Sequence, residues 1–319
     1  MDYSWAEGAA THDIIVVGAS AGGVEALRHL VALLPADLPA AIFVVLHVLP
    51  HSRSYLPDLL KRARPNVDHA VDGSPIEPGR VYIAPPNYHL LVERGHMHLS
   101  SGPKENRHRP AINPLFRSAA LAYGSQVVGV ILTGNLDDGT AGLWEIKRRG
   151  GIAVVQDPEE AIYPSMPQSA ISNVDVDFIV KLDQMPELLG ALAGNRAPEA
   201  PGVNTRMDTT LTRLTCPECR GPLEEHQQGT SREFRCRVGH AFAPAALLAA
   251  HAETVERTLW SGVVALEEGA DLAREMQSFL PAETERLKLE EKAKREMAAR
   301  VKVVINELVV NMGVDDSNQ

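Results

Sequence analysis

The 319-residue chain is 45% hydrophobic and 23% charged, a balance that suits roughly two packed domains and excludes collagen-like, low-complexity and wholly disordered classes. Its 41 acidic against 31 basic residues give a formal charge of -10, which argues against nucleic acid or an anionic membrane surface as the main partner. Met1 to Asp13 has no basic leader, and the longest apolar runs, such as Ala40 to Leu46, fall far short of the ~20 residues a spanning helix needs, so neither a secretory signal nor membrane insertion is expected. All three cysteines fall between Cys216 and Cys236; they cannot make a disulfide framework and read as thiols or metal ligands of a cytoplasmic protein.

From residue 12 to 193, short β-branched runs alternate with amphipathic stretches. Ile14–Val17, Ile42–Leu46, Val127–Leu132 and Ile152–Val155 are continuous apolar runs, the mark of strands buried on both faces of a parallel sheet. Helices are predicted at Val24–Leu34, Leu56–Arg62, Pro114–Tyr123 and Ala141–Arg149, so the class is α/β with a doubly wound, mostly parallel sheet. Between Val81 and Leu99 the pattern changes to Val81-Tyr82-Ile83 and Leu90-Leu91-Val92 with a turn at Arg94-Gly95, which predicts an inserted antiparallel hairpin. Residues 194–213 carry two prolines, two glycines and no periodicity, and read as a linker. A compact Cys/His module (214–245) follows, then a helical hairpin (246–312). Its first stripe runs through Val255, Leu259, Val263, Leu266 and Ala270, Pro281 breaks the pattern, and Ala293, Met297, Val301, Val304, Ile305 and Leu308 form the second.

The first strand runs into Gly18-Ala19-Ser20-Ala21-Gly22-Gly23 and then a helix, the place where an open parallel sheet binds ligands. Ser20 there is a candidate nucleophile on a Gly-x-Ser-x-Gly turn; it is equally a candidate N-cap or part of a phosphate-binding loop. His47 ends the second strand, and Val127–Leu132 leads into Thr133-Gly134-Asn135-Leu136-Asp137-Asp138-Gly139. Parallel register brings all three strand ends to one edge. Ser20, His47 and Asp138 therefore supply a nucleophile, a base and a carboxylate to orient the base, with one of the two aspartates expected as a helix cap. The order Ser, His, Asp is not that of an α/β-hydrolase.

Gly18–Gly23, Leu46-His47-Val48-Leu49-Pro50, Asn106-Arg107-His108-Arg109-Pro110, Leu132-Thr133-Gly134 with Asp138-Gly139, and Ser165-Met166-Pro167 together resemble the catalytic domain of the chemotaxis protein-glutamate methylesterases, the CheB family, over roughly residues 12–193. The resemblance implies hydrolysis of glutamate γ-methyl esters on methylated chemoreceptor helices, with deamidation of glutamine as a second activity, by a Ser20/His47/Asp138 triad that needs no cofactor. It implies oxyanion or substrate contacts at Ala21, Asn135, Arg107, His108, Arg109 and Met166. The basic residues, with Arg117, are suited to carboxylates beside the methylated glutamate. Asn135-Leu136 stands where the family usually has Met-Gly, and only about a dozen residues precede the first strand where usual members carry a receiver domain. The resemblance then leaves three expectations: a constitutive enzyme, one controlled by a separate response regulator, or one used outside chemotaxis.

Cys216-Pro217-Glu218-Cys219, Cys236 and His240 give C-x2-C followed by C-x3-H, a spacing that closes a tetrahedral shell around a structural Zn2+. A second reading stands beside the enzyme: a non-catalytic, zinc-containing regulatory or scaffold protein that uses the esterase-like domain to bind a partner, its oxyanion hole spoiled by Asn135-Leu136.

Overall fold

The computed structural model describes residues 12–48, 54–193 and 208–313. In chain order its first part comprises β1 (Ile14–Ala19), α1 (Gly23–Leu33), β2 (Ala41–Leu46), α2 (Leu56–Lys61), β3 (Val67–His69), β4 (Val81–Ile83), β5 (His89–Glu93), β6 (His96–Ser100) and α3 (Ile112–Tyr123). There follow β7 (Val127–Ile131), α4 (Thr140–Arg148), β8 (Ile152–Gln156), α5 (Ser165–Asn173), β9 (Phe178–Val180) and α6 (Met185–Ala193). Seven strands pair in the order β3-β4-β2-β1-β7-β8-β9, all parallel. The order reverses between β1 and β7, so the chain leaves the sheet in opposite directions there and a crevice opens at the strands' carboxyl ends.

Alternation along β1 divides the core. Ile15 and Val17 point to one face with Leu27 and Leu30 of α1, Leu60 of α2 and Leu189 of α6. Ile14 and Val16 point to the other, with Leu115 and Phe116 of α3, Leu143 of α4 and Met166 of α5. The predicted hairpin is β5–β6, turning at Arg94-Gly95, and it packs Leu90, Val92 and Met97 into that second layer. Val81–Ile83 is not part of it. This run pairs in parallel with β2 and β3, because an apolar triplet carries no mark of which neighbour it will join.

The strand β10 (Asp208–Thr215) begins inside the stretch expected as linker, followed by β11 (Pro222–Gln228), β12 (Ser231–Cys236) and β13 (Ala241–Phe242), which form a four-stranded antiparallel sheet. This Cys/His module lies in the same compact unit as the α/β domain; that unit ends at Leu247 and a second begins at Leu248. The second unit holds most of α7 (Pro244–Phe279) and α8 (Thr284–Gly313), broken at Pro281 as expected. Its core is Val263, Ala298 and Ile305 with Leu259, Leu266 and Val301, whereas Val255, Met297 and Val304 of the expected stripes are exposed. No helix among the described residues is long and apolar enough to cross a membrane.

Candidate active site

Ser20 sits directly after β1, in a turn closed by the Gly23 N–H donating to the Ser20 carbonyl at 2.9 Å. Gly22 makes that turn with φ +73, a conformation that a side chain would strain. The Ser20 N–H donates to the Thr133 carbonyl at 3.0 Å, which ties the turn to the loop after β7.

The Ser20 hydroxyl lies 2.9 Å from His47 Nδ1, and His47 Nε2 lies 2.7 Å from Asp138 Oδ2. Burial alone would push the Asp138 carboxyl up, but His47, the Ile112 N–H and the Asn106 amide more than offset it and hold Asp138 well below the usual carboxylate range. An ionised Asp138 must be met by a proton on His47 Nε2, which leaves Nδ1 to accept from the serine. Asp138 also takes N–H bonds from Ile112 (2.7 Å), Gly139 (3.0 Å) and Asn113 (3.3 Å) and the Asn106 side-chain N–H at 2.8 Å. Five donors fix one carboxylate at the start of α3 and α4. The arrangement can move the serine proton to the imidazole as Ser20 attacks a carbonyl, with Asp138 stabilising the imidazolium.

Asp137 takes the capping role, at a helix more distant in sequence than α4: its Oδ2 accepts the Ala245 N–H at 2.9 Å in the first turn of α7. Burial raises its pKa to about 6 against the opposing pull of that N–H. The first turn of α4 is capped by Asn113 instead, whose Oδ1 accepts from Gly139 (3.1 Å) and Gly142 (2.8 Å).

The residues expected to bind substrate divide. The His108 ring lies flat on His47, with centroids 3.7 Å apart and planes 6° from parallel. Asn135 is exposed beside Gly134, and Ala21 is half-buried with its carbonyl accepting from Thr133 Oγ1 at 3.1 Å. Met166 is fully buried, so it walls the loop from behind and offers no free surface to a substrate. A Cβ on Gly134 would stand 2.3 Å from the Met166 sulfur and 2.8 Å from the Ser20 Cβ, so only glycine admits this approach. Arg109 gives its donors to the Ser101 and Gly102 carbonyls (both 2.7 Å) and to Asn87 Oδ1, knitting its own loop. Arg117 pairs with Glu105 at 2.5 Å and Glu233 at 2.9 Å. The expected basic cluster is thus largely spent on internal bonds. Arg107 holds φ +71 and Leu136 φ +65, and the Leu136 carbonyl accepts from Ser165 Oγ at 3.1 Å. Neither of these bulky side chains favours that region, which marks both loops as held by their surroundings.

Asn106 and Asn113 join the site without a mark in the sequence that assigns them to it. Asn106 opens the Asn-Arg-His-Arg-Pro motif, yet the charged members of that motif drew the chemistry.

Cys216, Cys219, Cys236 and His240 bring their ligand atoms within 4.8 Å of one another. Cys219 and Cys236 sulfurs are 3.6 Å apart, and His240 Nδ1 is 3.7 Å from the Cys216 sulfur and 3.5 Å from that of Cys236. Zinc bonded at about 2.3 Å to sulfur and about 2.0 Å to nitrogen sets tetrahedral edges of roughly 3.5–3.8 Å, so these residues fit it. Two tight turns present them. Arg220 (φ +63) returns its N–H to the Cys216 carbonyl, and Gly239 (φ +102) returns its own to the Cys236 carbonyl, each at 2.9 Å.

A doubly wound sheet that carries a serine, a histidine and an aspartate in hydrogen-bonded series at its switch point has the architecture of a serine hydrolase outside the α/β-hydrolase order. The model of the family described as CheB methylesterase matches residues 15–189, and the chain belongs to that family. It is 40% identical over 194 residues to protein-glutamate methylesterase/protein-glutamine glutaminase 1 of Geobacter metallireducens, covering 59% of this chain and 53% of that protein. It is 42% identical over 180 residues to the protein of the same name from Burkholderia pseudomallei, covering 55% and 49%. The chain thus spans about half the length of these curated relatives. The crystal structure of the Thermotoga maritima CheB methylesterase catalytic domain superposes with a TM-score of 0.54 at 35% identity, over 56% of this chain and 98% of that one. The Cys/His module lies beyond the residues that the family model matches.

Proposed function

We propose that the chain is a protein-glutamate methylesterase that hydrolyses glutamate γ-methyl esters on methylated chemoreceptor helices and deamidates glutamines there. The observation that carries this reading is the series Ser20 Oγ, His47 Nδ1, His47 Nε2, Asp138 Oδ2 at spacings of 2.9 and 2.7 Å. Ser20 Oγ bonds to the ester carbonyl carbon as its proton passes to His47 Nδ1. The methoxide leaves with that proton as methanol, or the amide nitrogen as ammonia. A water then attacks the acyl-enzyme with His47 as base, releasing the glutamate carboxylate and restoring Ser20. Backbone N–H groups at Ala21 and Asn135, beside the nucleophile, are the oxyanion donors of this reading, and His108 covers His47 from the side.

Cys216, Cys219, Cys236 and His240 would hold a structural Zn2+ with all four positions filled by protein, so the metal supplies folding free energy and the serine supplies the chemistry. Reduced thiols of this kind suit the cytoplasm, where a separate response regulator would be the controlling partner. The scaffold reading leaves the ordered serine–histidine–aspartate series without a purpose. The deciding experiment measures methanol release from methyl-labelled receptor membranes by the full chain and by Ser20→Ala. The wild type should turn over and a folded Ser20→Ala should not; turnover retained in the variant overturns the assignment.

A further inference from the structure

Asn106 is buried at 2% exposure, with both ends of its side-chain amide and its backbone N–H engaged. Its side-chain N–H donates to Asp138 Oδ1 at 2.8 Å, its Oδ1 accepts the Ala243 N–H at 2.7 Å, and its backbone N–H donates to the Ala241 carbonyl at 2.8 Å. Because the Ala243 N–H can only meet the amide oxygen, the amide nitrogen is obliged to face Asp138. The residue holds φ +46, a region asparagine tolerates better than most.

Ala241 and Ala243 belong to the Cys/His module. Ala241 follows His240 directly, β13 pairs with β12, and the Cys236 N–H donates to the His240 carbonyl at 3.1 Å, so the strand that grips Asn106 is continuous with two of the four cluster ligands. Glu105 bridges in parallel to Ala241. From the other side, Arg117 of α3 ties Glu105 to Glu233 of β12. Thus the module clamps the residue that orients the triad carboxylate, from a segment that lies outside the matched catalytic domain.

We propose that Asn106 is a positioning residue for the Ser20/His47/Asp138 series and that the metal-loaded Cys/His module holds it in place, so that the state of the module sets the turnover of the esterase. The proposal rests on the methylesterase reading above. A module without its metal loses the turn at Cys236–His240, and with it the Ala243 N–H that fixes the Asn106 side-chain amide and the Ala241 carbonyl that holds its backbone. Asp138 then keeps its backbone donors but loses the one side-chain donor opposite His47.

The test uses the full chain, with Asn106→Gly, which keeps the positive φ accessible while deleting both side-chain bonds. Methanol release, zinc content and the low-field proton resonance of the His47 Nε2–H bond to Asp138 are measured before and after chelation. Asn106→Gly should keep its zinc, lose roughly tenfold or more in kcat with KM within about twofold, and shift the low-field resonance, as expected for one lost hydrogen bond to a charged group. Chelation should impose the same loss and the same shift on the wild type but add little to Asn106→Gly. Asn106→Asp provides a second variant that keeps the acceptor for Ala243 and the tolerance of positive φ but sets a second carboxyl against Asp138 in place of the amide donor, so that the two compete for one proton; it too should lose kcat with its zinc retained. Full kcat and an unmoved resonance in the metal-free wild type overturn the proposal, as does an equal chelation penalty with and without Asn106. If the wild type releases no more methanol than Ser20→Ala, the methylesterase reading fails instead, and the resonance alone still decides the role of Asn106.

Discussion

His108 lies parallel to His47 with 3.7 Å between ring centroids, so the general base of the proposed reaction has one face closed by a second imidazole. Burial first, and His47 next, press the His108 pKa down to about 3, so it stacks as a neutral ring. A flat neutral replacement should therefore serve. His108→Phe is expected to keep kcat within about threefold, while His108→Ala, which opens His47 to water, should lose about tenfold, each read by methanol release and scaled by the rate relation of ~1.4 kcal/mol per decade.

The same ring contributes to acid sensitivity. The folded value lies below the ordinary 6.5, so the unfolded chain takes up the proton first as pH falls. This contribution to stability is complete above about pH 6.5 and drains away toward pH 3. Thermal unfolding of His108→Phe should be less acid-sensitive across that window than the wild type; equal slopes would contradict the assignment.

Asp137 has the opposite sign. Its folded pKa, raised to about 6 by burial, exceeds that of the unfolded chain, so between about pH 4 and 6 the native state holds the extra proton and this group's contribution falls as pH rises. The difference in stability between Asp137→Asn and wild type should therefore grow in the variant's favour across pH 4–6 and level off above, by up to about 3 kcal/mol for a shift of this size. Its effect on turnover should stay small beside that of Asp138→Asn, which leaves His47 in the wrong tautomer and should cost on the order of 10^3–10^4 in kcat.

Much of this site was legible because both-face burial writes itself as uninterrupted apolar runs. The ends of β1, β2 and β7 could be read from Ile14–Val17, Ile42–Leu46 and Val127–Leu132, and with them the convergence of Ser20, His47 and Asp138. Asn106 could not, since its role depends on Ala243, 137 positions away. Arg109 and Arg117 looked like a substrate-binding patch because sequence shows charge but not who already holds it. The strands β11 and β12, PLEEHQQ and SREFRC, pair across the Gly229-Thr230 turn but are too polar to write an apolar alternation.

Gly134 and Met166 offer a packing test. Gly134→Ala forces its methyl into the Met166 sulfur and the Ser20 Cβ, and overpacking of this kind costs about 1–3 kcal/mol and displaces the nucleophile. Adding Met166→Ala vacates that space. The double variant should be more stable than the sum of the two single losses predicts, by denaturant titration; strict additivity would show that the two residues do not compete for the same volume.

In the helical unit, Val263 is buried at 1% and Val304 is 47% exposed. Val263→Ala should cost about 1–3 kcal/mol, the order expected for a truncated core side chain, and Val304→Ala less than about 0.5 kcal/mol. Thermal melts of the two variants in the same chain read the contrast directly.

The compact unit ends at Leu247, well past the proline-rich stretch that looks like a seam in the sequence. What joins the α/β domain to the Cys/His sheet is Asn106 on Ala241 and Ala243, Asp137 on Ala245, Arg117 on Glu233 and Thr230 on the Asn173 carbonyl. A single protease cut between Ala193 and Asp208 would therefore not divide the protein. The nicked material should run as two bands under denaturing conditions and as one peak in gel filtration, a protein of two polypeptides whose assembly no longer depends on the peptide bond that once joined them.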